Sequence, residues 1–311
     1  MKKIVCPHCS NDHIVKNGHR GRKQNYKCIS CNKQFIIRKR IDPMDILNDR
    51  VENNMTYEKL AKKYKVSMGT IRNKLNEIKT TDIKMPKVEN TSIILAVDAV
   101  FFNKTNGILI GKDHRTNRVV YIKAITSESA TEYLQMCQEL EQKGIKIDGV
   151  ISDNSSAAKS VFSGVVRQIC QFHMVQSIVH YLSKKPTIKA AKDLLHIAYQ
   201  LKKSSSEEFK KLLDEWLVKY EDLLSAEKFD AIKGKWEYAN KKLRSAFFSL
   251  FKNLPLLFTF ETHKEIPNTN NSLEGQFGDF KKKLNNHSGM RKHNKFIFSL
   301  TYFSKLKPIL T

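Results

Sequence analysis

No apolar run in this chain of 311 residues approaches the roughly 20 that a membrane-crossing helix needs. Its opening, MKKIVCPHCS, lacks the long apolar core of a secretory signal. Cysteine is scarce, six residues in all. With no export signal, the expected setting is a reducing cytoplasm, where thiols stay free or bind metal instead of pairing as disulfides. Acidic residues are also in short supply: 31 Asp and Glu face 55 Lys and Arg, a formal net charge of +24. A surplus of that size favours a polyanionic partner, because each neutralised phosphate releases condensed counterions. No short amphipathic basic anchor stands out, so a membrane surface is excluded as the expected partner and nucleic acid is the default. Part of the surplus is general, carried on solvated helix faces such as KAAKDLLHIAYQLKK.

What is present is organised in blocks. Hydrophobic residues make up an ordinary 41%, and the length suits two or three domains. The first block, residues 1–40, carries Cys6-Pro7-His8-Cys9 and, after eighteen intervening residues, Cys28-Ile29-Ser30-Cys31. Each Cys-x-x-Cys makes a tight knuckle with both sulfurs inward, and two knuckles complete a tetrahedral four-thiolate zinc site. Asn17-Gly18 and Gly21 supply turns for the hairpins of a zinc ribbon. His8, His13 and His19 find no vacancy beside four thiols, and redox chemistry is the alternative reading. Arg20, Arg22, Lys23 and Lys27 are candidate phosphate contacts on this platform.

The second block, residues 41–80, reads as a helix-turn-helix. Thr56 opens a helix with Leu60, Ala61 and Tyr64 inward, Lys65-Val66-Ser67 turns, and Ser67 caps a second helix packed through Ile71 and Leu75. Ser67, Arg72, Asn73 and Lys74 are the candidate DNA contacts of a recognition helix, a plain helical hairpin being the alternative. Residues 81–91, with Pro86 and several lysines, form a linker.

From residue 92 to 311 the pattern becomes α/β. Strands are expected at Ile93–Val97, Gly107–Lys112, Val119–Ile125, Gly149–Ser152 and Val165–Cys170, with helices at Glu128–Lys143 and after Ser155. Three strands in a meander followed by alternating helix and strand describe a mixed sheet resembling the ribonuclease H fold. The stretch of about 174–262, which holds Trp216 and Trp236, is too long for a loop and is expected to be an all-helical insertion. Either tryptophan could stack on an unpaired base, although a core role is the commoner fate of Trp in a helical bundle.

Three carboxylates stand out. Asp98 and Asp153 are expected to close apolar strands, and Glu274 opens a basic helix over Ser272–Leu284. A charge at the end of a buried strand is costly, and metal coordination would offset that cost. Asp153 is equally readable as a turn and cap residue in Asp-Asn-Ser-Ser. Asp113, Asp148, Glu261 and Glu265 are weaker candidates in poorer motifs. Lys281, Lys282 and Lys283 follow Glu274 and can neutralise phosphates nearby.

Taken together, the zinc ribbon, the helix-turn-helix, Asp98, Asp153, Cys170-Gln171-Phe172-His173, the helical insertion and Asn271-Ser272-Leu273-Glu274-Gly275 resemble a Mutator-type bacterial insertion-sequence transposase. That resemblance implies a DNA transposase with an Asp-Asp-Glu site, two Mg2+ or Mn2+ ions on Asp98, Asp153 and Glu274, and a structural Zn2+ on Cys6, Cys9, Cys28 and Cys31. It implies auxiliary roles for Cys170, His173 and Asn271, though a buried thiol and a satisfied core histidine are the usual readings of the first two. It also implies double-stranded DNA partners, terminal inverted repeats and target, a homodimer or larger assembly, and a nucleoid-associated bacterial protein. A structure-selective nuclease of the same fold, or a non-catalytic regulator sharing the N-terminal modules, are the alternatives.

Overall fold

The computed structural model describes residues 4–21, 23–37, 41–85, 91–287 and 289–306. They divide into two compact units, residues up to 46 with 57–77, and 47–56 with 78 onward. Arg22 and residues 86–90 of the expected linker lie outside the described residues.

In the first unit β1 (Ile14–Arg20), β2 (Lys23–Cys28) and β3 (Gln34–Ile36) form an antiparallel sheet in chain order. The two cysteine knuckles fold alike. Cys6 N–H donates to the Asn11 carbonyl at 2.8 Å and Cys28 N–H to that of Lys33 at 2.9 Å. The residue after each second cysteine, Ser10 and Asn32, is left-handed, with φ of 59° and 63°. Helix α1 (Pro43–Glu52) runs across the division between the units. Helices α2 (Tyr57–Tyr64) and α3 (Met68–Asn76) bury Leu60, Ile71 and Leu75, as the apolar spacing predicts. Lys65 makes the turn with φ of 54°, and Ser67 Oγ accepts from Thr70 N–H at 3.1 Å as the α3 cap.

The second unit is built on five strands, β4 (Ser92–Asn103), β5 (Asn106–Asp113), β6 (Val119–Ile125), β7 (Lys146–Ser152) and β8 (Arg167–Ile169). Their order is β6-β5-β4-β7-β8, antiparallel among the first three and parallel from β4 through β8. This is the strand order and direction of a ribonuclease H-like sheet. Helix α4 (Ala130–Gln142), capped by Ser129, and α5 (Ser156–Val161), capped by Ser155, make the crossovers. Tyr133, Met136 and Leu140 of α4 pack on Ile93, Leu95 and Val97, while Ile94, Ala96 and Ile151 face Cys170 and Ile266 on the other side.

Two elements differ from the sequence reading. Strand β4 does not end at Asp98 but runs five residues further, because β5 goes on pairing with it as far as Asn103 opposite Asn106. Pairing with β7 stops at Ala96 opposite Ile151, so beyond that point, among the described residues, β4 has a strand neighbour on one edge only. The insertion is also not wholly helical. It comprises α6 (Gln171–Leu182), α7 (Lys189–Gln200), α8 (Ser206–Ser225), the antiparallel hairpin β9 (Glu227–Asp230) and β10 (Lys235–Tyr238), then α9 (Lys241–Lys252), α10 (Leu254–Leu257) and α11 (Thr259–Thr262). Phe229 pairs opposite Trp236, and the oppositely charged pairs Asp230–Lys235 and Lys228–Glu237 alternate with it, which suits a pleated ribbon better than a helix face. Trp216 is core, stacked on Phe247 and donating to the Ala190 carbonyl at 2.9 Å; Trp236 is 67% exposed. Helices α12 (Asn271–Asn285) and α13 (Lys292–Ser304) complete the unit. Among the described residues no helix is long and apolar enough to cross a membrane.

Candidate active site

Asp98 lies in the notch left where β7 stops pairing with β4. Asp153 directly follows β7, whose pairing with β4 ends at Ile151 opposite Ala96. Glu274 comes from the first turns of α12 and His173 from the first turn of α6. His173 Nε2 is 2.5 Å from Glu274 Oε1 and 3.7 Å from Asp98 Oδ2. One ligand atom from each of these three residues lies within 4.8 Å of the others.

Two carboxylates this close cannot both be charged without a cation between them. Burial pushes the Asp98 carboxyl well above the usual carboxylate range, with His173 acting the other way and Glu274 adding to the rise. Burial also opposes the charge on Glu274, but its contact with His173 keeps that carboxyl below its ordinary value. Burial likewise acts against a charged His173, yet Cys170, Glu274 and Asp98 outweigh it and raise the imidazole to about 11. His173 contacts both carboxylates through Nε2, and its Nδ1 is buried without a hydrogen-bond partner. Two carboxylates converging with one imidazole form a donor set that fits a hard divalent cation in the same place.

Cys170 explains how the two helices meet. It is the residue preceding α6, fully buried, and its Sγ accepts from Asn270 N–H at 3.3 Å, immediately before α12. Gln171 N–H donates to the Asn268 carbonyl at 3.0 Å beside it. The Cys-x-x-His spacing therefore ties the start of the Glu274 helix while presenting His173 one turn later.

Asp153 stands apart from the three converging groups. Its Oδ1 accepts from Ser155 N–H at 3.0 Å, in the turn that the Asp-Asn-Ser-Ser sequence also allows. Its charge acts on Arg167, Glu128 and Tyr133. Arg167 on β8 is buried with both terminal guanidinium nitrogens unbonded, and Tyr133 Oη donates to Glu128. The weaker acids are engaged elsewhere: Asp148 with Arg115 at 3.5 Å, Asp113 with Thr116 Oγ1 at 2.7 Å, Glu261 with Ser206 N–H at 2.9 Å, and Glu265 near His263 at 3.8 Å.

The basic residues separate by what they touch. Arg20 and Lys23 are exposed opposite each other at the tip of the β1–β2 hairpin, and Lys27 is half-buried. On α3, Asn73 is exposed, Arg72 lies over the Tyr57 ring at 5.3 Å, and Lys74 pairs with Glu77 at 2.8 Å. Lys281, Lys282 and Asn271 are exposed on α12. Lys283 instead donates to the carbonyls of Val51 and Glu52 at 3.3 and 3.2 Å, closing the end of α1.

In the first unit, Cys6 and Cys31 Sγ are 3.5 Å apart and Cys9 and Cys28 Sγ 3.6 Å. A tetrahedron of ~2.3 Å zinc–sulfur bonds has sulfur edges of about 3.8 Å, so the four thiols fit that ion.

A family model described as "Transposase, Mutator family" matches residues 102–274, from the later half of β4 to Glu274 itself. The chain belongs to the Mutator family of transposases. Among curated proteins no match is found. Solved structures similar to the transposase include an intasome of simian T-cell lymphotropic virus in complex with PP2A regulatory subunit B56 gamma, at 11% identity and a TM-score of 0.22 over 67% of this chain and 65% of that one. The Mos1 strand transfer complex matches at 14% identity and a TM-score of 0.20, over 70% of this chain and 77% of that one. A Mos1 paired-end complex with the left transposon end matches at 14% and 0.19, over 70% and 78%.

Proposed function

We propose that this transposase cleaves DNA at the ends of its own element and joins them to a target, using Asp98, Asp153 and Glu274 as a three-carboxylate site for two Mg2+ or Mn2+ ions. The observation that supports the reading is the convergence of Asp98, at the notch in the sheet, with Glu274 from α12, while Asp153 directly follows the neighbouring strand β7. Bound there, such ions activate an attacking oxygen and stabilise the leaving one in phosphodiester displacement. The chain's own part is to converge the carboxylates, which His173 does by bridging Glu274 and Asp98. Exposed Lys281 and Lys282, on the helix of Glu274, offer charge to the phosphates of the bound strand.

The zinc-fitted ribbon and the helix-turn-helix recognise double-stranded terminal repeats, with Arg20, Lys23 and Asn73 as solvent-facing contacts. Arg72, Lys74 and Lys27 lend charge from more constrained positions. Joining two ends requires two copies of the protein, so the working form is a homodimer or larger assembly on the bacterial nucleoid. A magnesium-dependent assay on labelled element ends tests this, with wild type beside Asp98→Asn, Asp153→Asn and Glu274→Gln. Each substitution should abolish nicking and joining by at least about 100-fold while end binding survives. Specific end binding with no cleavage under any metal would favour a regulator. Cleavage of branched DNA without preference for the ends would favour a nuclease.

A further inference from the structure

Lys112 is fully buried on β5, opposite Ala96, and therefore on the sheet face that also carries Asp98 two residues on. Its ammonium donates to Ser272 Oγ at 2.5 Å, Asn117 Oδ1 at 2.8 Å and Gln276 Oε1 at 3.4 Å. Three protons meet three neutral oxygens, and Gln276 Nε2 donates to the same Asn117 oxygen at 3.3 Å, closing a ring of side chains. Among the described residues no carboxylate stands within ion-pair distance of Lys112 Nζ, and burial brings its pKa down to about 8. A buried ammonium with no counter-charge, next to the positive end of a helix, is an unfavourable placement on two counts. A leucine or methionine would fill the same space without that penalty. What lysine adds is direction. Ser272 and Gln276 are four residues apart, on one face of α12, and bracket Glu274. Cys170 holds the backbone of Asn270 just ahead of that helix, but Asn270 makes no side-chain capping bond, so Lys112 adds a side-chain hold on the first turns themselves.

We infer that Lys112 is a positioning residue for Glu274, clamping the first turns of α12 to the sheet through Ser272 and Gln276; this rests on Glu274 being a metal ligand, as proposed above. The test uses the full-length chain in two readouts: hydrogen exchange of the 271–277 segment without metal, and Mn2+ affinity by electron paramagnetic resonance. Lys112→Met is compared with Ser272→Ala and Gln276→Met, which alter the half-exposed side of the ring and keep the test alive if the buried substitution fails to fold. All three should speed exchange in 271–277 and weaken Mn2+ binding by about 10-fold, the scale on which groups that orient metal ligands act. The losses in Lys112→Met and Ser272→Ala should not add in the double variant. Unchanged exchange in Ser272→Ala and Gln276→Met overturns the clamp, as does faster exchange with Mn2+ affinity intact. Glu274→Gln separates the two ideas: if it leaves Mn2+ affinity at the wild-type level the metal reading falls, and the exchange of 271–277 alone then decides for or against the clamp.

Discussion

His287 is buried beyond the end of α12, with Nε2 3.4 Å from the Arg50 carbonyl and its ring against the edge of Phe298. Burial, helped by the charge of Arg50, lowers its pKa from 6.5 to about 4. Between those values the unfolded chain binds the extra proton, so the stabilisation is complete above pH 6.5 and is lost as pH falls towards 4. Urea midpoints measured across that window should therefore fall in the wild type, by up to about 3 kcal/mol of stability, and fall less in His287→Phe. Lys112 also has a folded pKa below its unfolded one, at about 8 against 10.5, so stability rises with pH across that higher window. Comparison with Lys112→Met should remove this rise. Single residues also mark how far sequence reading reaches. The cysteines were legible because their spacing leaves few geometries, and Asp98 because a carboxylate after five apolar residues is conspicuous. Lys112 in ILIGKD was not, since a strand lysine near a turn reads as solvated until its acceptors, 160 and 164 positions away, are known.

At the level of elements, a charge inside a strand and a hairpin inside a helical insertion are the features that the sequence pattern hides. Strand β4 passes through Asp98 because its pairing with β5 does not depend on its pairing with β7. The β9–β10 ribbon was hidden in a segment whose surroundings are helical. Two tryptophans in contrasting settings make the insertion testable by fluorescence. Trp236→Phe should leave a blue-shifted emission that iodide barely quenches, from Trp216 at 3% exposure, and Trp216→Phe a red-shifted, readily quenched one. Equal quenching in the two variants would contradict this packing. The β4–β5 hairpin offers a second check. A Cβ at Gly107 would lie 2.9 Å from the Val100 carbonyl oxygen and 2.7 Å from Phe101 Cδ1, and the backbone oxygen has nowhere to go. Gly107→Ala should cost about 1–3 kcal/mol in denaturant unfolding, as overpacking does.

The described residues form two compact units, each with its own candidate metal site. Chelation of the proposed zinc, or Cys6→Ser, should unfold the ribbon and weaken the proposed binding to element ends, because so small a sheet has little core of its own. Zinc content and the near-ultraviolet signal should change, while the unfolding transition of the sheet-based unit stays in place. The sheet order itself was legible, since a meander followed by alternating helix and strand permits few topologies. The contact between α6 and α12 was not, because it joins Cys170 to Asn270 across 100 residues of inserted chain.

That separation also has a meaning in time. Glu274 is added 121 residues after Asp153, which at ~5–20 residues per second is a delay of about 6–24 s on the ribosome. Throughout it, the growing chain already holds the N-terminal ribbon and the first two of the three proposed catalytic carboxylates. A chain abandoned part-way, by premature termination or proteolysis within the insertion, keeps the ribbon and helix-turn-helix and lacks Glu274. On the proposed assignment, a truncated chain would compete with complete copies for element ends, and the last carboxylate to be made would mark completion.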